Sequence, residues 1–106
     1  MSSDSQLFVP DSFIALHAER HGRLRLPLGE LQARYELCED LANALVEQAQ
    51  LLYFQSAPSE SAILLSIHQG LSGADSGVSA PEARWVVLRL AELLDWKSPE
   101  LPASGD

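Results

Sequence analysis

Residues 28–54 read LGELQARYELCEDLANALVEQAQLLYF, a run without proline whose single glycine is Gly29. Its apolar residues recur at intervals of three and four, and polar residues fill the gaps between them. The apolar positions are Leu31, Tyr35, Cys38, Leu41/Ala42, Leu45, Ala49 and Leu52/Tyr53. This spacing matches the 3.6-residue turn of an amphipathic helix. The run therefore predicts a long helix over 28–54, around which the remaining elements are placed.

Two further helices are predicted after this run. The first extends from about Pro58 or Ser59 to Gln69, with Ile63, Leu64, Ile67 and Leu71 on its apolar side. Gly70 is positioned to be its C-terminal left-handed residue. Residues 72–78 are rich in Gly and Ser and predict a loop.

The second of these helices has the clearest start signal in the chain. Ser79 is followed three residues later by Glu82, with Pro81 between them. A serine and a glutamate at this spacing can exchange hydrogen bonds with each other's backbone N–H groups and form a capping box. The helix is predicted to end near Asp95 and, being apolar on most sides, to be largely covered.

Before the long helix, the sequence predicts a short helix over 10–18, with Pro10 and Asp11 in its first turn and Gly22 in the turn beyond. Within residues 20–27, arginine and leucine alternate over 23–26 with period two, which indicates an extended segment. No second strand is evident, so this segment is predicted to be a connector without a pairing partner.

These elements predict an all-α fold, a small bundle of one short and three longer helices. The predicted boundaries are a flexible N-terminus over 1–6, a single helical domain over 7–96 and a flexible C-terminal tail over 97–106. A length of 106 residues allows one such domain.

Composition restricts the classes of function. Seven basic and fifteen acidic residues give a net charge of −8, which disfavours nucleic acid and anionic membrane surfaces and suits a partner with a basic surface. No apolar run is long enough to span a membrane, and the first residues lack the pattern of a signal peptide. With one cysteine, Cys38, these features predict a cytoplasmic protein.

Several catalytic and cofactor-binding motifs are missing from the sequence. There is no Gly-x-x-x-x-Gly-Lys-Ser/Thr, no Gly-x-Gly-x-x-Gly, no Cys-x-x-Cys and no His-Glu-x-x-His, and the one lysine is Lys97. We therefore predict no catalytic residues, no cofactor and no metal, and P-loop ATPase activity in particular is not expected.

Two alternatives use the histidines. His17 and His21 are four residues apart and would share a face on a continuous helix, so a metal or small-ligand site could combine them with His68, Cys38 and nearby carboxylates. A phosphotransfer role for His68 is a further alternative, although such domains usually place a lysine after the histidine and this chain has Gln69.

The candidate partner contacts combine acidic and apolar residues. Leu51 to Phe54 are four apolar residues in succession, which one helix cannot all turn inward. Surplus apolar surface rimmed by acids is typical of a protein interface. The residues predicted to contact a partner, or a second copy, are Glu36, Glu39, Asp40, Leu52, Tyr53, Phe54 and Trp85. The acidic ones would receive arginines from a partner or from the chain's own segment 20–25.

Three stretches also resemble a known family: 33–42 (ARYELCEDLA), 9–13 (VPDSF) and 76–96 around WVVLRLAELLDW. They are similar to a family of short uncharacterised proteobacterial proteins that often carry the label "ATPase with chaperone activity". The residues do not support the ATPase part of that label. The resemblance implies a bacterial cytoplasmic protein linked to a chaperone system. Together with the surface pattern, it predicts a non-enzymatic interaction module: an adaptor, regulator or assembly factor, and a homo-oligomer.

Overall fold

The computed structural model describes residues 9–56, 59–99 and 101, and this part of the chain is all-α as predicted. The four helices are α1 (Asp11–Ile14), α2 (Leu28–Ser56), α3 (Glu60–Leu71) and α4 (Ala80–Leu94). A 3-10 turn, Ala15–His17, continues α1. None of the described helices is long and apolar enough to cross a membrane.

The described residues fall into two compact units whose boundary lies inside α2, between Leu37 and Cys38. The sequence predicted a single domain over 7–96. The first unit has few buried side chains, and its central one is Phe13. The Phe13 ring lies edge-on to Tyr35, with ring centroids 5.7 Å apart, and contacts the His17 ring at 5.3 Å.

The segment predicted to be an unpaired connector has a pairing partner. An isolated antiparallel bridge joins Leu24 to Ala18, and the Glu19 N–H donates to the Arg23 carbonyl at 2.7 Å. Gly22 closes the loop at a φ of 91°, in the left-handed region where glycine carries no steric cost. Residues 20 and 21 form a turn and residues 22, 25 and 26 are bends, so the predicted extended backbone is limited to the region of the bridge. The prediction that the segment lacks a partner is wrong.

The second unit contains the larger core. Helices α2, α3 and α4 each contribute to one buried cluster, composed of Ala49, Ile63, Leu64, Ile67, Val87, Leu90 and Ala91. The partly buried apolar residues packed against it are Leu45, Val46, Leu52, Leu71, Leu94, Trp96 and Leu101. Every large residue in the cluster lies on the apolar side that helical periodicity assigns to its element.

The starts of α3 and α4 follow from local chemistry. The Ser59 hydroxyl accepts the Ala62 N–H at 3.0 Å. At α4 the predicted capping box is present: the Glu82 N–H donates to the Ser79 hydroxyl at 3.2 Å, and the Ser79 N–H donates to the Glu82 carboxylate at 2.9 Å. Each of these bonds satisfies a backbone donor that the first helical turn would otherwise leave unpaired.

The ends of the two helices differ. Gly70 lies inside α3 rather than in the predicted left-handed position, and Ser72 is the right-handed C-cap. At α4 the left-handed residue is Asp95, with a φ of 59°, and the Trp96 N–H donates back to the Ala91 carbonyl at 2.9 Å. This Schellman-type end reverses the chain and brings Trp96 onto the core.

Packing continues past the predicted start of the C-terminal tail at 97. Pro99 is buried and Leu101 packs against the core cluster of the second unit. Residue 100 and residues 102–106 lie outside the described residues, as do residues 1–8, which include the predicted flexible N-terminus.

Candidate interaction surface

Three large apolar side chains are exposed in the last turns of α2. The exposed fraction is 82% for Phe54, 53% for Leu51 and 42% for Tyr53. We call these three residues the terminal apolar patch. Because successive helical residues point about 100° apart, a run of four apolar residues in α2 must direct part of its side chains to solvent. Two of the three residues were predicted to contact a partner.

Tyr53 differs from its two neighbours because it is anchored within the unit. Its ring contacts the Trp96 ring at a centroid distance of 5.6 Å and the Phe54 ring at 6.4 Å. The Tyr53 ring therefore connects the core-facing Trp96 to the solvent-facing Phe54. A substitution at Tyr53 would alter this packing as well as the patch, whereas Leu51 and Phe54 can be changed without losing core contacts.

Two predicted contact residues are placed elsewhere. Trp85 is buried, with 8% of its surface exposed, so little of its side chain is open to a partner, and the contact stays a prediction. It lies on α4, where Val86 and Val87 beside it are also buried, because this part of the helix is covered on more than one side. Leu52 is half-buried and packs against the core cluster, so it supports the patch from beneath.

The acidic residues of α2 divide into three environments. Asp40 is exposed. Glu36, in the first unit, is exposed and accepts a hydrogen bond from the Gln32 amide at 2.9 Å. Glu39 is half-buried and paired within the second unit, where it accepts from the Asn43 amide as well as from an arginine. Of the three acidic residues predicted to contact a partner, Glu36 and Asp40 thus face solvent and Glu39 is paired within the unit.

The arginine that pairs with Glu39 is Arg89 of α4. Its Nε donates to one carboxylate oxygen and its Nη2 to the other, each at 2.9 Å, while its Nη1 donates to Glu92 at 3.1 Å. The hydrogen bonds from Arg89 hold the pKa of the Glu39 carboxyl below its usual value, against the opposing effect of burial. The same bond raises the pKa of Arg89. The ion pair joins α2 to α4 and gives Glu39 a partner within the unit.

The histidines do not form the metal pair considered from the sequence. The 3-10 turn ends at His17 and Ala18 is extended, so His17 and His21 do not share a helical face. His17 is half-buried beside Phe13, and His21 is exposed near the Glu19 carboxylate at 3.5 Å. Among the residues that the structure describes, no group of three or more His, Cys, Asp or Glu could hold a metal ion.

His68 and Cys38 belong to the second unit. His68 lies in the last turn of α3 and is half-buried, and its carbonyl accepts hydrogen bonds from the Ser72 N–H and hydroxyl. Cys38 is fully buried on the inner face of α2. A buried thiol of this kind acts as a small apolar side chain.

Charge is distributed unequally between the units. Residues 38–106 contain ten acidic and three basic residues, which give a formal charge of −7. Residues 1–37 contain five acidic and four basic residues, which give a formal charge of −1. The terminal apolar patch therefore belongs to the unit that carries nearly all of the net negative charge. Sequence reasoning did not assign Leu51 to the contact set, although its spacing of three from Phe54 places both on one side of the helix.

Comparison of the chain with protein-family models, with curated proteins and with solved structures gives no match.

Proposed function

We propose that this chain is a non-enzymatic protein-interaction module that acts as an adaptor, regulator or assembly factor in the bacterial cytoplasm. The observation that carries the proposal is the exposure of Phe54, at 82%, next to Leu51 and Tyr53. Clustered apolar side chains in water are unfavourable by about 25 cal/mol per Å². On small proteins such clusters mark sites that another molecule covers.

The polar groups with defined geometry support the same proposal. The bidentate Glu39–Arg89 pair and the Ser79–Glu82 capping box each hold helices of the second unit in place. These side chains have structural partners and are used in building the scaffold. The resemblance to chaperone-linked proteins agrees with a role in binding other polypeptides.

Co-purification with a matched set of variants tests the proposal. A tagged copy at native expression level is compared with the double variant Leu51→Ser/Phe54→Ser and with Leu65→Ser, which changes an exposed leucine of α3. We expect a stoichiometric partner with the wild type and with Leu65→Ser, and its loss with the double variant. Circular dichroism should show the same helical content for all three proteins.

Two results would contradict the proposal. One is retention of the partner by the double variant at wild-type stoichiometry. The other is a wild-type protein that returns alone and sediments as a monomer, because the terminal apolar patch would then have no occupant.

A further inference from the structure

The outward side of α2 in the second unit carries a regular row of exposed residues. Asp40, Ala44, Glu47, Leu51 and Phe54 are all exposed, and they follow one another at spacings of four, three, four and three. We call this row the outer stripe. It lies opposite the buried positions of the same helix, so it is separate from the face that packs in the core.

The spacing of the outer stripe is that of a coiled-coil seam. Alternating steps of three and four average 3.5 residues, and this repeat keeps one row of side chains facing a neighbouring helix. From Asp40 to Phe54 the stripe is about 21 Å long, at 1.5 Å per residue. It therefore fits a partner helix of about two heptads.

The outer stripe contains both apolar and acidic side chains. Ala44, Leu51 and Phe54 are apolar, while Asp40 and Glu47 are acidic and seven residues apart. In the part of the chain that the structure describes, neither carboxylate takes part in a hydrogen bond or an ion pair. Two unpaired carboxylates within an apolar seam require positive charges opposite them, because burial of an unpaired charge is costly.

We propose that the outer stripe docks an amphipathic helix of a basic partner. The partner carries arginine or lysine at two seam positions seven residues apart, facing Asp40 and Glu47, and apolar residues facing Ala44, Leu51 and Phe54. This inference rests on the proposed function and names the class of partner that the surface takes.

A second copy of this chain does not meet these requirements. A parallel pair of outer stripes would set Asp40 against Asp40 and Glu47 against Glu47, which are repulsive contacts. A coiled-coil seam has two alternating positions, and in an antiparallel pair each position faces the other one. Asp40 and Glu47 occupy one position and Ala44 and Leu51 occupy the other. Each carboxylate would therefore face an apolar residue. Each copy also carries a net charge of −8, which opposes association.

Two synthetic peptides of three heptads test the proposal. They share one amphipathic sequence and carry either two arginines or two glutamates at the seam positions seven apart. Each labelled peptide is titrated with the full-length protein and followed by fluorescence anisotropy. We expect the arginine peptide to bind at least about tenfold more tightly than the glutamate peptide, and Leu51→Ser/Phe54→Ser to weaken its binding by at least that factor.

Two charge-reversal variants distinguish a direct contact with the outer stripe from an effect of the net charge. In Asp40→Arg/Glu47→Arg the preference should reverse, so that the glutamate peptide binds more tightly. The control Glu30→Arg/Asp75→Arg changes the net charge equally at exposed acids outside the stripe and should keep the wild-type preference. If both variants change the preference between the two peptides by the same amount, net charge decides binding and the proposal is wrong.

The remaining outcomes each decide against this inference. Equal affinity for the two peptides, or no binding up to about 100 μM, excludes a basic helix as the occupant. A dimer in sedimentation that the stripe substitutions dissociate assigns the surface to a second copy. If a co-purified partner is lost in Leu51→Ser/Phe54→Ser but retained in Asp40→Arg/Glu47→Arg, the proposed function stands and this inference fails.

Discussion

Burial on α2 between Cys38 and Phe54 does not follow the size of the side chain. On the inner side Cys38, Ala42 and Ala49 are fully buried, and all three are small. On the outer side Leu51 and Phe54 are large and exposed. Burial in this unit therefore follows which face of the helix is covered and not how apolar a residue is.

The same contrast exists on α3, where two neighbouring leucines face opposite ways. Leu64 is fully buried in the core cluster, and Leu65 is 41% exposed. Leu65 of α3 and the outward residues Leu51 and Phe54 of α2 are therefore apolar side chains that the core does not bury.

The largest expected loss of stability comes from shortening a side chain on the buried side of a helix. Leu64→Ala should lower the free energy of unfolding by about 3 kcal/mol, because it removes buried methyl groups and leaves a cavity. Leu65→Ala makes the same chemical change on the outer side and should cost less than about 1 kcal/mol. Urea denaturation followed by circular dichroism measures both values. Similar losses for the two variants would contradict the assignment of faces.

A second test enlarges a small residue on each side of α2. Ala49→Leu forces extra volume into the packed cluster and should destabilise the protein by about 1–3 kcal/mol. Ala44→Leu adds the same volume to an exposed position and should change stability by no more than about 0.5 kcal/mol. Thermal unfolding of the two variants compares them directly, and a well-tolerated Ala49→Leu would show that the inner side is loosely packed.

The ion pair between α2 and α4 should give a smaller effect that depends on pH. Glu39→Gln should lower stability at neutral pH by about 1 kcal/mol, since it removes a charged partner of Arg89. The pKa of Glu39 is lowered by folding. Its contribution is therefore complete above the usual carboxyl value of 4.5 and is lost as the pH falls below that value. Unfolding curves recorded at several pH values measure the difference between wild type and variant.

The matched control for this pair is Glu92→Gln. Glu92 contacts the same arginine at 3.1 Å, but its side chain is much more exposed than that of Glu39. Its replacement should change stability by less than about 0.5 kcal/mol, because water screens an exposed pair. A difference between wild type and Glu39→Gln that persists unchanged into acid would refute the role assigned to the Glu39 charge.

The smallest effect on stability is expected at the most exposed residue. Phe54→Ser should change the free energy of unfolding by no more than about 0.5 kcal/mol, although it deletes the largest side chain of the terminal apolar patch. Leu52→Ser, two residues earlier on the core side, should cost more than about 1 kcal/mol. Guanidinium denaturation measures the free energy of unfolding of both variants. A large loss of stability in Phe54→Ser would mean that its ring is packed in the folded protein and is not free in solvent.

Much of the fold was predictable because its signals are local. The periodicity of 28–54 predicted α2 to within two residues at its end, and the spacing of Ser79 and Glu82 predicted the capping box. Failures occurred where the spacing of residue types does not decide the backbone conformation. The pairing of Leu24 with Ala18 depends on backbone bonds across a loop, and Gly70 lies inside α3, which ends one residue later at Leu71.

The interaction surface was predictable in part for the same reason. Tyr53 and Phe54 were assigned to it because a helix cannot turn four successive residues inward, and both are exposed. The role of Glu39 could not be predicted, because its partner Arg89 is 50 residues away in sequence. The regular spacing of the outer stripe is visible in the sequence, but only the exposure of its members distinguishes it from a second buried row.

By itself the sequence determined the helices, the cap at Ser79, the acidic charge and the excess of apolar residues. Each of these depends on neighbours within a few positions or on composition alone. The tertiary structure decided which apolar residues are covered: it buries Trp85, leaves Phe54 in water and joins Glu39 to Arg89. Burial depends on contacts between residues far apart in the chain, and a helix of mixed character acquires an inside and an outside only when other helices pack on one of its faces.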